Sequence, residues 1–138
     1  MMIKFIIYGL LGWNIEVLWT GWCELLSGNI NMVGRTSLWM FIIYGSGGIL
    51  FEKVLPKIKD RKWFERGFIW MCLIFAVEFL SGAFLKLLGI TAWRYDSLFS
   101  LLGLIRLDYG PLWAVVGLAF ERLSRLIAVG STEKKATQ

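Results

Sequence analysis

The chain has 138 residues, of which 57% are hydrophobic and 18% are charged, and its formal net charge is +5. Soluble domains are about 45–50% apolar and about 25% charged, so both departures indicate an integral membrane protein. Histidine is absent, which removes the commonest metal ligand and the usual general base near neutral pH. The basic residues gather at the ends of apolar segments, which favours contact with anionic lipid over binding to nucleic acid.

Four apolar stretches are long enough to cross a bilayer as helices, each of which needs about 20 residues. A membrane span must satisfy its own backbone hydrogen bonds, so these long, non-alternating runs are predicted to be α-helical. They lie at about residues 3–26, 37–55, 68–88 and 110–127. We therefore expect a single transmembrane domain over residues 1–129, followed by a disordered cytoplasmic tail at residues 130–138.

The distribution of basic residues predicts the orientation. The link between the second and third stretches carries six Lys or Arg between Glu52 and Arg66, more than any other link. By the positive-inside rule this link and both termini are cytoplasmic. The sequence thus predicts a multi-pass protein of the cell membrane.

The third link is unusually apolar. Residues 98–107 form an apolar run of about half a membrane span, which favours a re-entrant or interfacial segment before the last helix over a fifth crossing. Backbone of this kind survives at membrane depth only where protein covers it or where it lines a cavity. We expect it to cover the outer side of the helices.

The two halves of the chain resemble each other. Residues 15–18 (IEVL) match residues 77–80 (VEFL), and residues 48–53 (GILFEK) match residues 117–122 (GLAFER). Because each half holds two crossings, both halves enter the membrane in the same direction. The predicted fold is an all-α integral membrane protein with four transmembrane helices, arranged as two parallel-related helical hairpin repeats.

Glu16 and Glu78 are single carboxylates within long apolar runs. A charge at bilayer mid-depth costs at least ~2.5–3.5 kcal/mol, so such a residue normally faces a partner or a cavity. We predict a polar substrate site, whose alternative is a pair of glutamates satisfied by neighbouring side chains. The residues predicted to form the site are Glu16, Glu78, Asn14, Trp39, Tyr44, Tyr109 and Trp113.

Other charged residues lie near the predicted membrane surfaces. Glu52 and Glu121 end the returning helices, and we expect them to form structural ion pairs, with a gate as the alternative. Arg94, Asp96 and Arg106 cluster in the outer link, where a site entrance and a solvated, salt-bridged loop are equally acceptable interpretations.

An ordered set of short motifs resembles a known family. The motifs are Gly34-Arg-Thr-Ser-Leu-Trp39, Tyr44-Gly45, Phe51-Glu52, Glu78-Phe79 with Gly82, Trp93-x-Tyr95, and Gly103-Leu-Ile with Tyr109 and Trp113. Together they resemble the CmpB-like family of ABC-transporter permeases, to which vertebrate transmembrane protein 229 is also similar. The resemblance runs from about Gly12 to Leu123 and implies a small polytopic membrane protein. Since the chain has no Walker motif, a transport role implies a partner or an ion gradient as the energy source.

Three functions follow as hypotheses. The first is a transport or substrate-binding membrane subunit, acting as a homodimer or with a partner transporter subunit on a small cationic or lipid-headgroup ligand. The second is an enzyme or binder that acts on lipid, and the third is a structural or regulatory membrane subunit. No catalytic triad, metal motif or cofactor motif is recognisable, so we expect no metal and no cofactor, and the sequence leans away from an enzyme.

Overall fold

A computed structural model describes the backbone of residues 1–136 and the side chains through Ile127. The elements are α1 (Met2–Leu26), α2 (Leu38–Ile58), α3 (Trp63–Leu87), β1 (Ser100–Leu101), β2 (Ile105–Arg106), a 3₁₀ turn (Leu107–Tyr109) and α4 (Gly110–Ala136). The expectation of four helices and almost no sheet is confirmed for this part of the chain.

Three of the helices, α1, α2 and α3, are long and apolar enough to cross a membrane. In the most apolar 18-residue segment of each helix, only 11%, 22% and 17% of the residues are buried within the protein. Most of these apolar side chains therefore face outward. An outward apolar surface of this extent is suited to lipid rather than to water. Helix α4 is long but less apolar, because three charged side chains (Glu121, Arg122 and Arg125) fall within residues 110–127. Its crossing of the membrane remains a prediction.

The helix bounds differ from the expected ones mainly at two ends. Helix α3 begins at Trp63 rather than at residue 68, which brings Arg66 inside the helix. Helix α4 continues past Ile127 to Ala136, beyond its expected end, and the disordered tail at residues 130–138 remains a prediction. Residues 137–138 of that tail lie outside the described residues.

The chain divides into two compact units. The first comprises Met1–Phe51 and Phe79–Arg94; in it α1 packs antiparallel on the part of α2 up to Phe51. The second comprises Glu52–Glu78 and the chain from Tyr95 onward; in it the part of α3 up to Glu78 packs antiparallel on α4.

In the first unit, glycines on one helix face aromatic side chains on the other. A Cβ atom added at Gly12 would lie 2.7 Å from Tyr44 Cβ, and one at Gly48 would lie 2.6 Å from Tyr8 Cβ. Tyr8 is buried at 4% exposure. The absence of a side chain at these glycines therefore sets the close approach of the two backbones, as is common between membrane helices.

In the second unit, Gly117 of α4 lies directly against Trp70 of α3. A Cβ atom at Gly117 would overlap the Cβ and ring of Trp70, which is the most completely buried large side chain described, at 0% exposure. The Trp70 ring also packs edge-on against Phe120, with centroids 6.0 Å apart. Gly67, by contrast, has only ordinary contacts, with Leu118 at 3.5 Å and Ala114 at 3.6 Å.

The apolar third link forms a short β-hairpin. Ser100 pairs with Arg106, and Leu101 pairs with Ile105. At the turn, Leu102 and Gly103 have φ angles of 55° and 74°, the positive values that a type I′ turn requires. Leucine adopts this conformation at a cost of about 1–2 kcal/mol, and the neighbouring side chains of Leu104 and Ile105 are buried. The re-entrant or interfacial position of this segment remains a prediction.

The contrast between Gly117 and Gly67 gives a matched test of packing. We expect Gly117→Ala to lower the free energy of unfolding by about 1–3 kcal/mol, because the new methyl group overlaps Trp70 Cβ, which can move away only if α3 itself shifts. Gly67→Ala should leave the stability unchanged or raise it by up to about 1 kcal/mol, since a helical glycine is replaced without a clash. Thermal unfolding of both variants in the same detergent measures the difference. Equal melting temperatures would contradict the close-approach interpretation.

Candidate functional site

The carboxylate of Glu16 on α1 is held by two neutral hydroxyl groups. Thr36 Oγ1, in the link before α2, donates a hydrogen bond of 2.7 Å, and Tyr44 OH, on α2, donates one of 3.1 Å. Both donors bind the same oxygen, Oε2. The other oxygen, Oε1, accepts no hydrogen bond from any residue that the structure describes. Glu16 is therefore fixed in position while one of its oxygens keeps its acceptor capacity.

The link before α2 is tied to α1, which positions Thr36. Arg35 N donates to Thr20 Oγ1 at 2.8 Å, and the Trp13 indole donates to Ser37 O at 3.2 Å. The residues on either side of Thr36 are thus anchored to the helix that carries Glu16. This local anchoring orients the hydroxyl toward the carboxylate.

The carboxylate of Glu78 on α3 accepts hydrogen bonds on both of its oxygens. Tyr95 OH donates to Oε1 and Trp113 Nε1 donates to Oε2, each at 3.2 Å. Tyr95 is held in turn by its backbone N–H, which donates to Gly103 O of the β-hairpin at 3.0 Å. The third link therefore contributes directly to the surroundings of Glu78.

Aromatic rings continue outward from Glu78. Tyr109 packs edge-on against both Tyr95 and Trp113, with centroids 6.0 and 5.8 Å apart. The Arg106 guanidinium lies 4.4 Å from the centre of the Tyr109 ring and donates to its hydroxyl at 3.1 Å. These contacts place a cluster of aromatic rings beside Glu78, and the cationic side chain of Arg106 packs on the Tyr109 ring.

Arg106 also pairs with the exposed Asp108 at 2.8 Å. Their hydrogen bond raises the pKa of the Arg106 guanidinium and lowers the pKa of the Asp108 carboxyl. Both groups therefore stay charged near neutral pH, and Arg106 keeps its positive charge beside Tyr109.

The surroundings of the two carboxylates follow one plan. Each receives one donor from the second helix of its own hairpin and one from the link that precedes that helix. The helix donor lies 28 residues beyond the glutamate in the first case and 35 residues beyond it in the second. A repeat of the kind predicted from the sequence motifs would produce this correspondence, and the repeat remains a prediction.

Glu121 differs from both, because basic side chains surround it. It is buried at 3% exposure, and its Oε1 accepts hydrogen bonds from Arg66 Nε at 3.0 Å and Trp70 Nε1 at 2.7 Å. Arg125 lies 4.0 Å from Oε2. This arrangement is the structural ion pair expected at this position.

The structure unites some of the predicted site residues and leaves others apart. Tyr44 binds Glu16, and Trp113 binds Glu78 with Tyr109 behind it. Asn14 donates to Leu10 O of its own helix instead, and Trp39 is 41% exposed. Glu16 and Glu78 lie in different units, so a site shared between them remains a prediction, as do the gate and entrance roles of Glu52, Glu121, Arg94, Asp96 and Arg106.

Sequence reasoning missed the roles of Thr36, Tyr95, Arg66 and Trp70 as partners of the glutamates. The first two lie in links, whose course a periodic pattern does not predict. The last two share a helix face at i, i+4 spacing, a signal that was lost because the third helix was expected to start after Arg66.

A comparison with known families agrees with this architecture. The family described as "Putative ABC-transporter type IV" matches residues 3–136, which is nearly the whole chain. The chain belongs to this family. No solved structure matches it significantly. Together with the three apolar helices, family membership gives a membrane protein with a transport-related role, and it confirms the resemblance found from the short motifs.

The buried ion pair predicts a selective loss of stability. Glu121→Gln leaves the Arg66 guanidinium without its counter-charge, and we expect the free energy of unfolding to fall by about 1–3 kcal/mol. The control is Glu65→Gln, which breaks an exposed pair with Arg61 and should cost less than about 0.5 kcal/mol. Thermal unfolding of purified protein measures both changes, and an equal loss in the two variants would contradict the role of Glu121.

Proposed function

We propose that the protein is a substrate-binding membrane subunit of a transport system, with polar binding sites at Glu16 and Glu78. Its family and its three apolar helices support a transport-related role in the membrane. The two glutamates are the residues most suited to bind a ligand, because each lies within an apolar helix and is oriented by side chains from other elements of its own unit.

The observation that carries the proposal is the set of hydrogen-bond partners of the Glu16 carboxylate. Its hydrogen-bond partners, Thr36 and Tyr44, are both neutral and both bind Oε2. Neutral donors offset only part of the cost of a charge in a membrane. A proton or a cationic group at Oε1 would supply the rest, so the site favours a ligand with a positive charge or a hydrogen-bond donor.

The residues around Glu78 support the same ligand class. Tyr109 and Trp113 present aromatic faces beside the carboxylate, and such faces attract cations. The Arg106 guanidinium lies on the Tyr109 ring in this way, which supports a planar cation as the ligand of this cluster. A small organic cation is therefore the substrate class we propose.

A second candidate function, that of a structural or regulatory subunit, is favoured by the helices from which the hydrogen-bond donors to the glutamates come. Tyr44 and Trp113 each come from the second helix of the hairpin that carries the glutamate. These bonds would also lock each hairpin, as expected of a structural or regulatory subunit. The two functions differ in what happens when the carboxylate is neutralised.

The test uses Glu16→Gln and Glu78→Gln, with choline, spermidine and guanidinium as probes. For a binding subunit we expect at least one probe to raise the melting temperature of the wild-type protein, and we expect each variant to reduce that rise, since the ligand loses its counter-charge. The control is Glu24→Gln, near the end of α1, where the carboxylate accepts a bond from Asn29. Its response to the probe should equal that of the wild-type protein.

A purely structural role gives another result. In that case both variants melt at lower temperature without any probe, while the probe-induced rise is unchanged or is absent from the wild-type protein as well. Either outcome would reject the binding proposal. If a probe does stabilise the protein through the glutamates, its uptake into proteoliposomes distinguishes transport from binding alone.

A further inference from the structure

The turn between α2 and α3 concentrates positive charge. Between residues 57 and 66 the chain has five basic side chains and two acidic ones. We call four of these residues the basic turn: Lys57, Lys59, Arg61 and Lys62. Lys57, Lys59 and Lys62 are exposed and form no ion pair with any residue that the structure describes. Three positive charges therefore face outward outside any ion pair, and Asp60 is the single acidic residue between them in the chain.

Exposed aromatic side chains adjoin the basic turn. Trp63 and Phe64 begin α3 and are 69% and 53% exposed, and their rings pack edge-on with centroids 6.0 Å apart. One turn further along the helix, Phe68 is 62% exposed. Since α3 is long and apolar enough to cross the membrane, its first turn lies where the apolar core meets the headgroups. Tryptophan is enriched at this depth because its ring is apolar and its N–H is polar.

The basic turn is held in shape from inside the protein. Arg66 donates to the backbone oxygen of Arg61 at 2.9 Å while its Nε binds the buried Glu121. Lys62 Nζ lies 5.8 Å from the centre of the Phe64 ring. The backbone of the turn is thus fixed before any ligand arrives, which lowers the entropy cost of binding.

From these observations we infer that the basic turn is a binding surface for anionic phospholipid headgroups. The charges match a phosphate-rich surface, and the apolar helices that flank the turn continue directly into the lipid phase. An anionic lipid would place its phosphate among Lys57, Lys59 and Lys62 while its acyl chains lie along Phe64 and Phe68. A zwitterionic lipid offers no net charge to balance the three lysines, so the surface discriminates by headgroup charge.

The test compares two triple variants of equal charge loss. Lys57→Gln/Lys59→Gln/Lys62→Gln neutralises the basic turn. Arg35→Gln/Lys86→Gln/Arg122→Gln neutralises exposed basic residues elsewhere in the described chain. Native mass spectrometry of each protein, titrated with phosphatidylglycerol or phosphatidylcholine, gives the affinity for each lipid. Charge-conserving Lys57→Arg/Lys59→Arg/Lys62→Arg checks that any loss follows from charge rather than from misfolding.

We expect the wild-type protein to prefer phosphatidylglycerol. Each basic residue near an anionic surface contributes about fivefold in affinity, so the first variant should bind phosphatidylglycerol at least about tenfold more weakly, with phosphatidylcholine unaffected. The arginine variant and the second glutamine variant should keep the preference. Raising the salt concentration should shrink it in the wild-type protein, because exposed charges are screened.

Two results would overturn the inference. One is an unchanged lipid preference in the first glutamine variant; if that variant also no longer copurifies with an acidic protein subunit, the turn is a protein-docking surface. The other is an equal loss in both glutamine variants, which would indicate overall charge rather than the basic turn.

Discussion

The close approach of two helices at glycine is the constraint on which the rest of each hairpin depends. At Gly48 and Gly117 the ring of Tyr8 or Trp70 occupies the space that a side chain would need. Lipid tails are as apolar as the helix surfaces, so burial of apolar area gives membrane helices little reason to associate, and close packing and hydrogen bonds must hold them. The bonds from Tyr44 to Glu16 and from Trp70 to Glu121 reach across helix pairs that are close enough only because a glycine lies in the contact.

The carboxylates of Glu121 and Glu16 differ in which groups balance their charge. Glu121 has a guanidinium at 3.0 Å, so its charge is matched permanently and its loss would leave the half-buried Arg66 without a counter-charge. Glu16 has only hydroxyl donors, on one oxygen. A carboxylate of this kind changes its proton or its ligand at lower cost than one in an ion pair, because no fixed counter-charge has to be separated from it. Of these two acids, Glu16 is therefore the better candidate for the reversible binding that we propose.

The sequence predicts the helices well because long apolar runs have few alternatives in a bilayer, and it predicts Glu16 and Glu78 because a carboxylate in such a run is rare. It also predicts Tyr44 and Trp113 near these acids. It does not predict Thr36, Tyr95 or the β-hairpin at residues 100–106, because link conformation depends on turn geometry and tertiary contacts rather than on periodicity. The positive φ of Leu102 illustrates the difficulty, since leucine by itself disfavours that conformation.

The third link explains why the two carboxylates differ despite their common plan. In the link before α2, the residue that donates to Glu16 is Thr36. It binds Oε2, and Oε1 has no partner among the described residues. In the third link, the residue that donates to Glu78 is Tyr95, which the β-hairpin holds through Gly103 and which brings Tyr109 and Arg106 into the same cluster. The longer third link thus adds aromatic side chains around Glu78 that the shorter first link does not add around Glu16. At Glu16 both donors bind Oε2, whereas at Glu78 the two donors bind different oxygens. We therefore expect Glu16 to respond more strongly than Glu78 to a small hydrogen-bonding ligand, and Glu78 to favour a larger, planar cation.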